Sequence, residues 1–184
     1  IVTVTGSVPV IAVPEGKQGH AQLNMRVNNA PGAVNVDEFV AAVRKEAPLD
    51  TATLSPTPEV TLAAKAPDQV IEARLTGPVN GYTWPVNGRL YNPPNDGVPV
   101  KPNQRVRIRF INESMMFHPF HLHGHTFQVT NNNVAKARKD TVLVPPKTTV
   151  EVDFDTNKPG KWISHCHNTY HLEAGMATFG QNSG

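Results

Sequence analysis

Arg105-Val106-Arg107-Ile108-Arg109-Phe110 alternates a cationic with an apolar side chain at every step, and this period of two decides how the chain folds. Successive side chains of an extended strand point to opposite faces, so Val106, Ile108 and Phe110 line one face and the three arginines the other. The pattern recurs on both sides. Ile71, Ala73 and Leu75 oppose Glu72 and Arg74, and Val150, Val152 and Phe154 oppose Glu151 and Asp153. Each run reads as a half-buried strand. A solvated outer strand face explains the arginines with fewer assumptions than a phosphate site. Turn chemistry punctuates the runs at Asn87-Gly88, at Asn92-Pro93-Pro94-Asn95-Asp96-Gly97 and at Lys158-Pro159-Gly160. Short strands with turns at this spacing predict an all-β sandwich with Greek-key connections over residues 70–184.

Upstream, residues 1–13 and 20–28 read as two extended runs around Pro14-Glu15-Gly16-Lys17, the pattern of a hairpin or of neighbouring strands. Residues 30–69 hold Pro31, Pro48, Pro56, Pro58 and Pro67 among many Ala and Thr, the composition of a semi-rigid linker. One short helix is predicted inside it. Asn35 caps it, Glu38 takes its third position, Phe39, Val40 and Val43 are its buried side, and Arg44 and Lys45 close it before Pro48. No second helix is expected.

Composition narrows the classes of function. Hydrophobic residues make up 39% and charged residues 17% of the 184, which fits a folded globular chain rather than a disordered one. Lys and Arg number 17 against 15 Asp and Glu, so no basic face suited to a nucleic acid is implied. No apolar run approaches the ~20 residues of a membrane-spanning helix. The first residues lack the charged and apolar regions of a signal peptide, and there is no initiator Met, so a processed chain or a piece of a longer one is expected.

Cys166 is the only cysteine, which excludes an intramolecular disulfide and leaves a buried filler, a nucleophile or a metal ligand. Seven of the eight histidines fall in two windows, His118-Pro119-Phe120-His121-Leu122-His123-Gly124-His125 and His165-Cys166-His167-Asn168-Thr169-Tyr170-His171-Leu172-Glu173-Ala174-Gly175-Met176. By strand parity His165 and His167 project one way and Cys166 the other, while His121 and His123 share a face opposite to that of His118. Cys166, His118, His171 and Met176 then supply one thiolate, two imidazoles and one thioether, the set that selects copper in a trigonal site with a weak axial Met. His121, His123, His165 and His167 supply imidazole alone, which suits copper, zinc, iron or nickel. A thiol nucleophile is disfavoured because neighbours on a strand point apart. A zinc-only reading leaves the thioether without a purpose.

These two windows resemble the histidine-rich motifs of the last cupredoxin domain of multicopper oxidases, and the likeness extends to Tyr82-Thr83-Trp84-Pro85-Val86-Asn87-Gly88 and Lys139-Asp140-Thr141-Val142. The resemblance implies a cupredoxin fold for residues 70–184, closing strands of a preceding cupredoxin-like domain in 1–29, and the linker with its helix in 30–69. It implies type 1 copper on His118, Cys166, His171 and Met176, type 2 copper on His121, and the paired type 3 coppers on His123, His165 and His167. Single electrons from a reducing substrate, phenol-like or a metal ion, would pass to a trinuclear centre that reduces dioxygen to water. That centre takes eight histidines and only four are present, so a missing N-terminal cupredoxin domain or another protomer is an implied partner. A blue-copper electron carrier without oxygen chemistry is the rival reading. The resemblance also implies a secreted or periplasmic protein.

The remaining candidates have simpler readings. His125 is read as a core or supporting residue and His20 as a surface or packing residue, neither as a ligand. Met115 and Met116 are read as fillers of apolar gaps beside the site. Asp140 and Glu173 are read either as groups that orient imidazoles or as exposed carboxylates. Cuprous oxidases of the resembled family often carry a methionine-rich insertion near this site, and with only Met25, Met115, Met116 and Met176 present the resemblance favours a phenolic donor, with Mn or Cu(I) oxidation left open.

Overall fold

The computed structural model describes residues 6–14, 18–28, 34–46, 53–93 and 97–182, so the expectations for residues 1–5, for Glu15-Gly16-Lys17, for Pro31 and Pro48 and for Pro94-Asn95-Asp96 lie outside the described residues. The chain divides into two compact units, Ile1–Leu49 and Asp50–Gly184.

In the first unit β1 (Gly6–Ala12) and β2 (Ala21–Val27) pair antiparallel from Gly6 opposite Val27 to Ala12 opposite Ala21, the hairpin that the two extended runs predict. Helix α1 (Asp37–Lys45) follows, with Asp37 and Glu38 in its first turn and Arg44 and Lys45 in its last, each sign at the end where the helix dipole favours it. Val36, not Asn35, is the capping residue. The Asn35 side-chain oxygen accepts the Asp37 N–H at 2.9 Å, forming a turn just ahead of the helix. Only Val40 of the three expected core residues is buried, while Phe39 is 58% and Val43 40% exposed. The helix buries the Val36–Val40 pair, four residues apart and one above the other, rather than the broader stripe that the sequence suggested.

The second unit is a Greek-key β-sandwich of the cupredoxin type. One five-stranded sheet has the order β3 (Gln69–Leu75), β5 (Arg105–Asn112), β10 (Thr149–Asp155), β7 (Phe127–Asn131), β8 (Val134–Lys139). The other has the order β4 (Gly97–Val100), β12 (Ala177–Asn182), β11 (Gly160–Cys166), β6 (His118–Leu122), β9 (Thr141–Val144). Consecutive strands β5 and β6 lie in opposite sheets, as do β10 and β11, so the chain crosses between layers. The apolar faces meet in one core. Phe110 of the first sheet and Phe120 of the second pack with ring centroids 4.8 Å apart, surrounded by Val106, Val129, Val142, Val144 and Val152. Each such side chain contributes about 1.5–3 kcal/mol by leaving water. At Asn87-Gly88 both residues take positive φ, 53° and 74°, and Val86 and Arg89 exchange both backbone hydrogen bonds, as a tight hairpin requires.

The arginine face is built differently from the solvated face expected. Register places Arg105, Arg107 and Arg109 of β5 opposite Asp155, Asp153 and Glu151 of β10, and each Nε donates to its acid at 2.7, 2.7 and 3.0 Å. Arg105 is only 4% exposed and also donates to the carbonyls of Ala63 and Lys65, while the Leu62 N–H donates to the Gln128 side-chain oxygen. Part of the proline-rich stretch therefore packs on the sandwich, because its extended carbonyls satisfy a guanidinium that would otherwise be stranded.

A second helix, α2 (Thr169–Glu173), was not expected. Five residues are too few for a helical period to show, and its clearest signal is Asn168, whose side-chain oxygen accepts the Tyr170 N–H at 3.1 Å.

Candidate metal centre

Strand β6 carries His118, Phe120 and Leu122 on its core face and His121 on the other. It pairs with β11 so that Cys166 lies opposite Phe120 and His165 opposite His121. The parity read from the sequence holds, and register adds what parity lacks: Cys166 is brought to the inner side near His118, and His165 stands beside His121 on the outer side. After Cys166 the chain turns through α2, which carries His171 inward, and returns through Gly175 to Met176. The Gly175 φ of +102° suits glycine, and a Cβ there would come within 2.8 Å of the Leu90 side chain. The Met176 N–H donates to the His171 carbonyl at 3.0 Å and the Cys166 N–H to the Met176 carbonyl at 3.1 Å, which ties the three residues together.

His118, Cys166, His171 and Met176 are all fully buried. Cys166 Sγ lies 3.7 Å from His118 Nδ1 and 3.6 Å from His171 Nδ1, and the two nitrogens are 3.1 Å apart. Donors that share one ion at roughly 2.0–2.3 Å from each stand about this far from one another. One thiol, two imidazoles and a buried thioether fit copper in both chemistry and spacing. The Ser114 hydroxyl lies 2.7 Å from His118 Nε2, which leaves Nδ1 facing the sulfur. Asn112 holds that serine through its side-chain oxygen and anchors its own amide on the carbonyls of Met116, Val144 and Pro145. Trp84, 1% exposed, packs on His171 at 4.1 Å and on His118 at 5.3 Å, and its backbone N–H donates to Ala174.

Burial sets the protonation of this pocket. It pushes the Cys166 thiol up to about 11, against the weaker pull of the Asn168 backbone N–H. It pushes His118 down to about 4, helped by His171, and lowers His171 as well. Both imidazoles are thus neutral near pH 7 and ready to donate a lone pair, whereas the thiol gives up its proton only as a metal arrives.

The four-imidazole group stands on the other side of the sheet. His123 Nε2 and His165 Nε2 are 3.0 Å apart, and the His121 ring centroid lies 4.9, 5.7 and 5.4 Å from those of His123, His165 and His167. His121 Nδ1 donates to the Asp140 carbonyl at 2.6 Å and His165 Nδ1 to the Cys166 carbonyl at 3.0 Å, so both present Nε2 outward. His165 is buried, His121 half-buried, and His123 and His167 exposed. Burial lowers His123 and His165, with their neighbouring histidines acting in the same direction.

Of the residues read outside the two sets, His20 and Glu173 match one of their readings and the methionines do not. Asp140 orients His121 through its backbone, and its side chain is exposed, as is that of Glu173. His20 is exposed. Met115 is 73% and Met116 40% exposed, so neither fills a gap; the turn that Asn112 and Ser114 make directs them outward. Ser114, Asn112 and Trp84 were missed as supports of the site. Their only sequence signal is proximity to His118 or to the tryptophan-containing turn, and neither states a contact.

The profile of a family described as multicopper oxidase matches residues 64–179. Multicopper oxidase MmcO of Mycobacterium tuberculosis is 37% identical over 183 residues, covering 97% of this chain and 35% of that protein. Copper resistance protein A of Escherichia coli is 38% identical over 115 residues, 61% of this chain and 18% of the relative. The chain thus spans about a third or less of the length of these relatives. Among solved structures, Fet3p, a multicopper oxidase that functions in iron import, superposes with a TM-score of 0.67 at 22% identity over 94% of this chain and 41% of its own. McoA of Aquifex aeolicus, a multicopper oxidase, gives 0.63 at 20% identity over 100% and 42%. At such identities the two structures speak for the fold alone. The family profile and the sequence similarity along 97% of this chain agree with the donor set assembled between β6, β11 and α2, and the chain belongs to the multicopper oxidase family.

Proposed function

We propose that this chain is the copper-binding C-terminal portion of a multicopper oxidase, with type 1 copper held by His118, Cys166, His171 and Met176 and half of a trinuclear centre supplied by His121, His123, His165 and His167. The observation that carries the reading is the pair of faces on one strand, with Cys166 in the closed thiolate set and its neighbours His165 and His167 in the open imidazole set. When loaded, the coppers supply one-electron oxidation of a donor and the four-electron, four-proton reduction of dioxygen to two waters. The protein's own residues provide a dry pocket, neutral imidazoles, and a covalent path of a few bonds from Sγ through the backbone to the flanking imidazoles. The exposure of His123 and His167 supports a further set of imidazoles from another domain or a second protomer. In this reading residues 1–29 close a preceding cupredoxin-like domain, residues 30–69 connect, residues 70–184 form the last domain, and the whole protein works in the periplasm or outside the cell.

The reducing substrate is phenol-like or a metal ion. The outward thioethers of Met115 and Met116, three and two residues from His118, favour a soft ion such as Cu(I) over the phenolic donor that methionine scarcity suggested.

Copper counting with a visible spectrum and an oxygen electrode tests the proposal. An intense blue band with copper on Cys166, and oxygen uptake only after the missing imidazoles are supplied, is expected. A loaded chain with no such band and a freely titratable Cys166 overturns it. Oxygen uptake that never appears with any partner leaves the electron carrier in its place.

A further inference from the structure

We propose that His125 is the positioning residue of His123, holding that ligand's backbone through its Nδ1–H, an assignment that rests on the copper reading above. His125 lies on the side of its ligand neighbours by parity but does not join them. It is 8% exposed and sits edge-on between Phe154 at 5.1 Å and Trp162 at 5.4 Å. Its Nδ1 lies 3.1 Å from the His123 carbonyl, and its buried Nε2 has no hydrogen-bond partner among the described residues. A carbonyl only accepts, so the ring carries its hydrogen on Nδ1 and leaves the Nε2 lone pair unanswered.

An unanswered buried acceptor is destabilising, since it has lost its water and gained no donor. Phenylalanine would fill the same aromatic slot without that cost, so packing alone does not account for a histidine. What the histidine adds is one N–H aimed at the peptide that launches His123.

The rest of the turn is held in the same manner. The His123 N–H donates to the Ile163 carbonyl at 3.0 Å, and Lys158 Nζ donates to the Gly124 carbonyl at 2.7 Å. Trp162 lies flat against Gly124, where a Cβ would come within 2.3 Å of its ring. The His123 N–H, its carbonyl and the Gly124 carbonyl are each held by a partner, while the His123 imidazole reaches into the open set beside His165. His123 leaves the strand at its end, where the ladder that holds His121 has stopped. The clamp replaces the ladder.

Two measurements on the whole chain test this. In metal-free protein, long-range proton–nitrogen spectra of labelled histidine are expected to show His125 as the Nδ1–H tautomer; the opposite tautomer overturns the assignment. Cu(II) is then titrated with paramagnetic resonance, counting copper beyond the blue centre. His125→Phe is expected to weaken that second copper about tenfold while the blue band keeps its intensity. His125→Asn, whose amide N–H stands where Nδ1–H stood, is expected to restore binding. Unchanged second-copper affinity in His125→Phe overturns the positioning role. A wild-type chain that takes no copper beyond the blue centre overturns the reading of the imidazole set itself, and the inference with it.

Discussion

The two histidine groups of this molecule share a strand and differ in almost every physical respect. The thiolate group is sealed, with all four side chains out of water, whereas the imidazole group leaves His123 and His167 exposed. In the proposed reading the first is complete within the chain, and the second has two of its four imidazoles open to solvent. A closed pocket must keep its imidazoles neutral and its thiol protonated until a metal comes, and it draws that from burial in the sandwich core. The open imidazole set has less core to lean on, and it is aimed instead by hydrogen bonds that His121 and His165 donate to carbonyls and, in the inference above, by His125.

The comparison can be broken most decisively at the sulfur. Cys166→Ser is expected to abolish the blue band in the visible spectrum while Cu(II) still binds the imidazole group; loss of both together would show that the two sites are not separate. Next, Trp84→Ala is expected to cost the metal-free protein about 3–5 kcal/mol by chemical unfolding, because Trp84 forms the wall behind His118 and His171.

Acidity gives a smaller effect with a definite sign. His118 takes a proton near 4 in the folded protein against 6.5 as its ordinary value. The unfolded chain therefore binds that proton first as the pH falls. The stabilisation is complete above pH 6.5, declines below it, and is gone once the pH has fallen past the folded value. Between pH 7.5 and 5 the metal-free protein is expected to lose about 2 kcal/mol in urea unfolding from this group, and His118→Phe is expected to flatten that part of the curve. At the small end, His167→Ala lies on the open side and is expected to change metal-free stability by no more than about 0.5 kcal/mol. A large loss there would mean that the outer group is part of the core after all.

Much of the sandwich was legible because burial on one face imposes a period of two, and Val106, Ile108 and Phe110 display it without interruption. The grouping of these side chains was legible for the same reason, since parity alone separates Cys166 from His165 and His167. The helix in the proline-rich stretch was placed nearly correctly, yet its buried side was not: which of Val36, Phe39, Val40 and Val43 faces inward depends on what packs there. Helix α2 escaped notice because five residues make little more than one turn. The exposure of Met115 and Met116 escaped because a hydrophobic side chain beside a site reads the same whether it points in or out.

The arginines show the division most clearly. Both halves of the ladder stand in the sequence, Arg105, Arg107 and Arg109 in one run and Glu151, Asp153 and Asp155 in another. That they pair antiparallel, Arg105 with Asp155, Arg107 with Asp153 and Arg109 with Glu151, is a matter of register between residues 42 to 50 positions apart, and register is a tertiary quantity. By itself the sequence determined the strand periods, the donor types and the face on which each donor lies, since these follow from local geometry and side-chain chemistry. Only the tertiary structure decided that His118, Cys166 and His171 converge within one metal ion's reach, that Ser114 and Trp84 pack against them, and that His125 sets its Nδ1 against the His123 carbonyl. Those outcomes depend on contacts between distant segments, which no local pattern encodes.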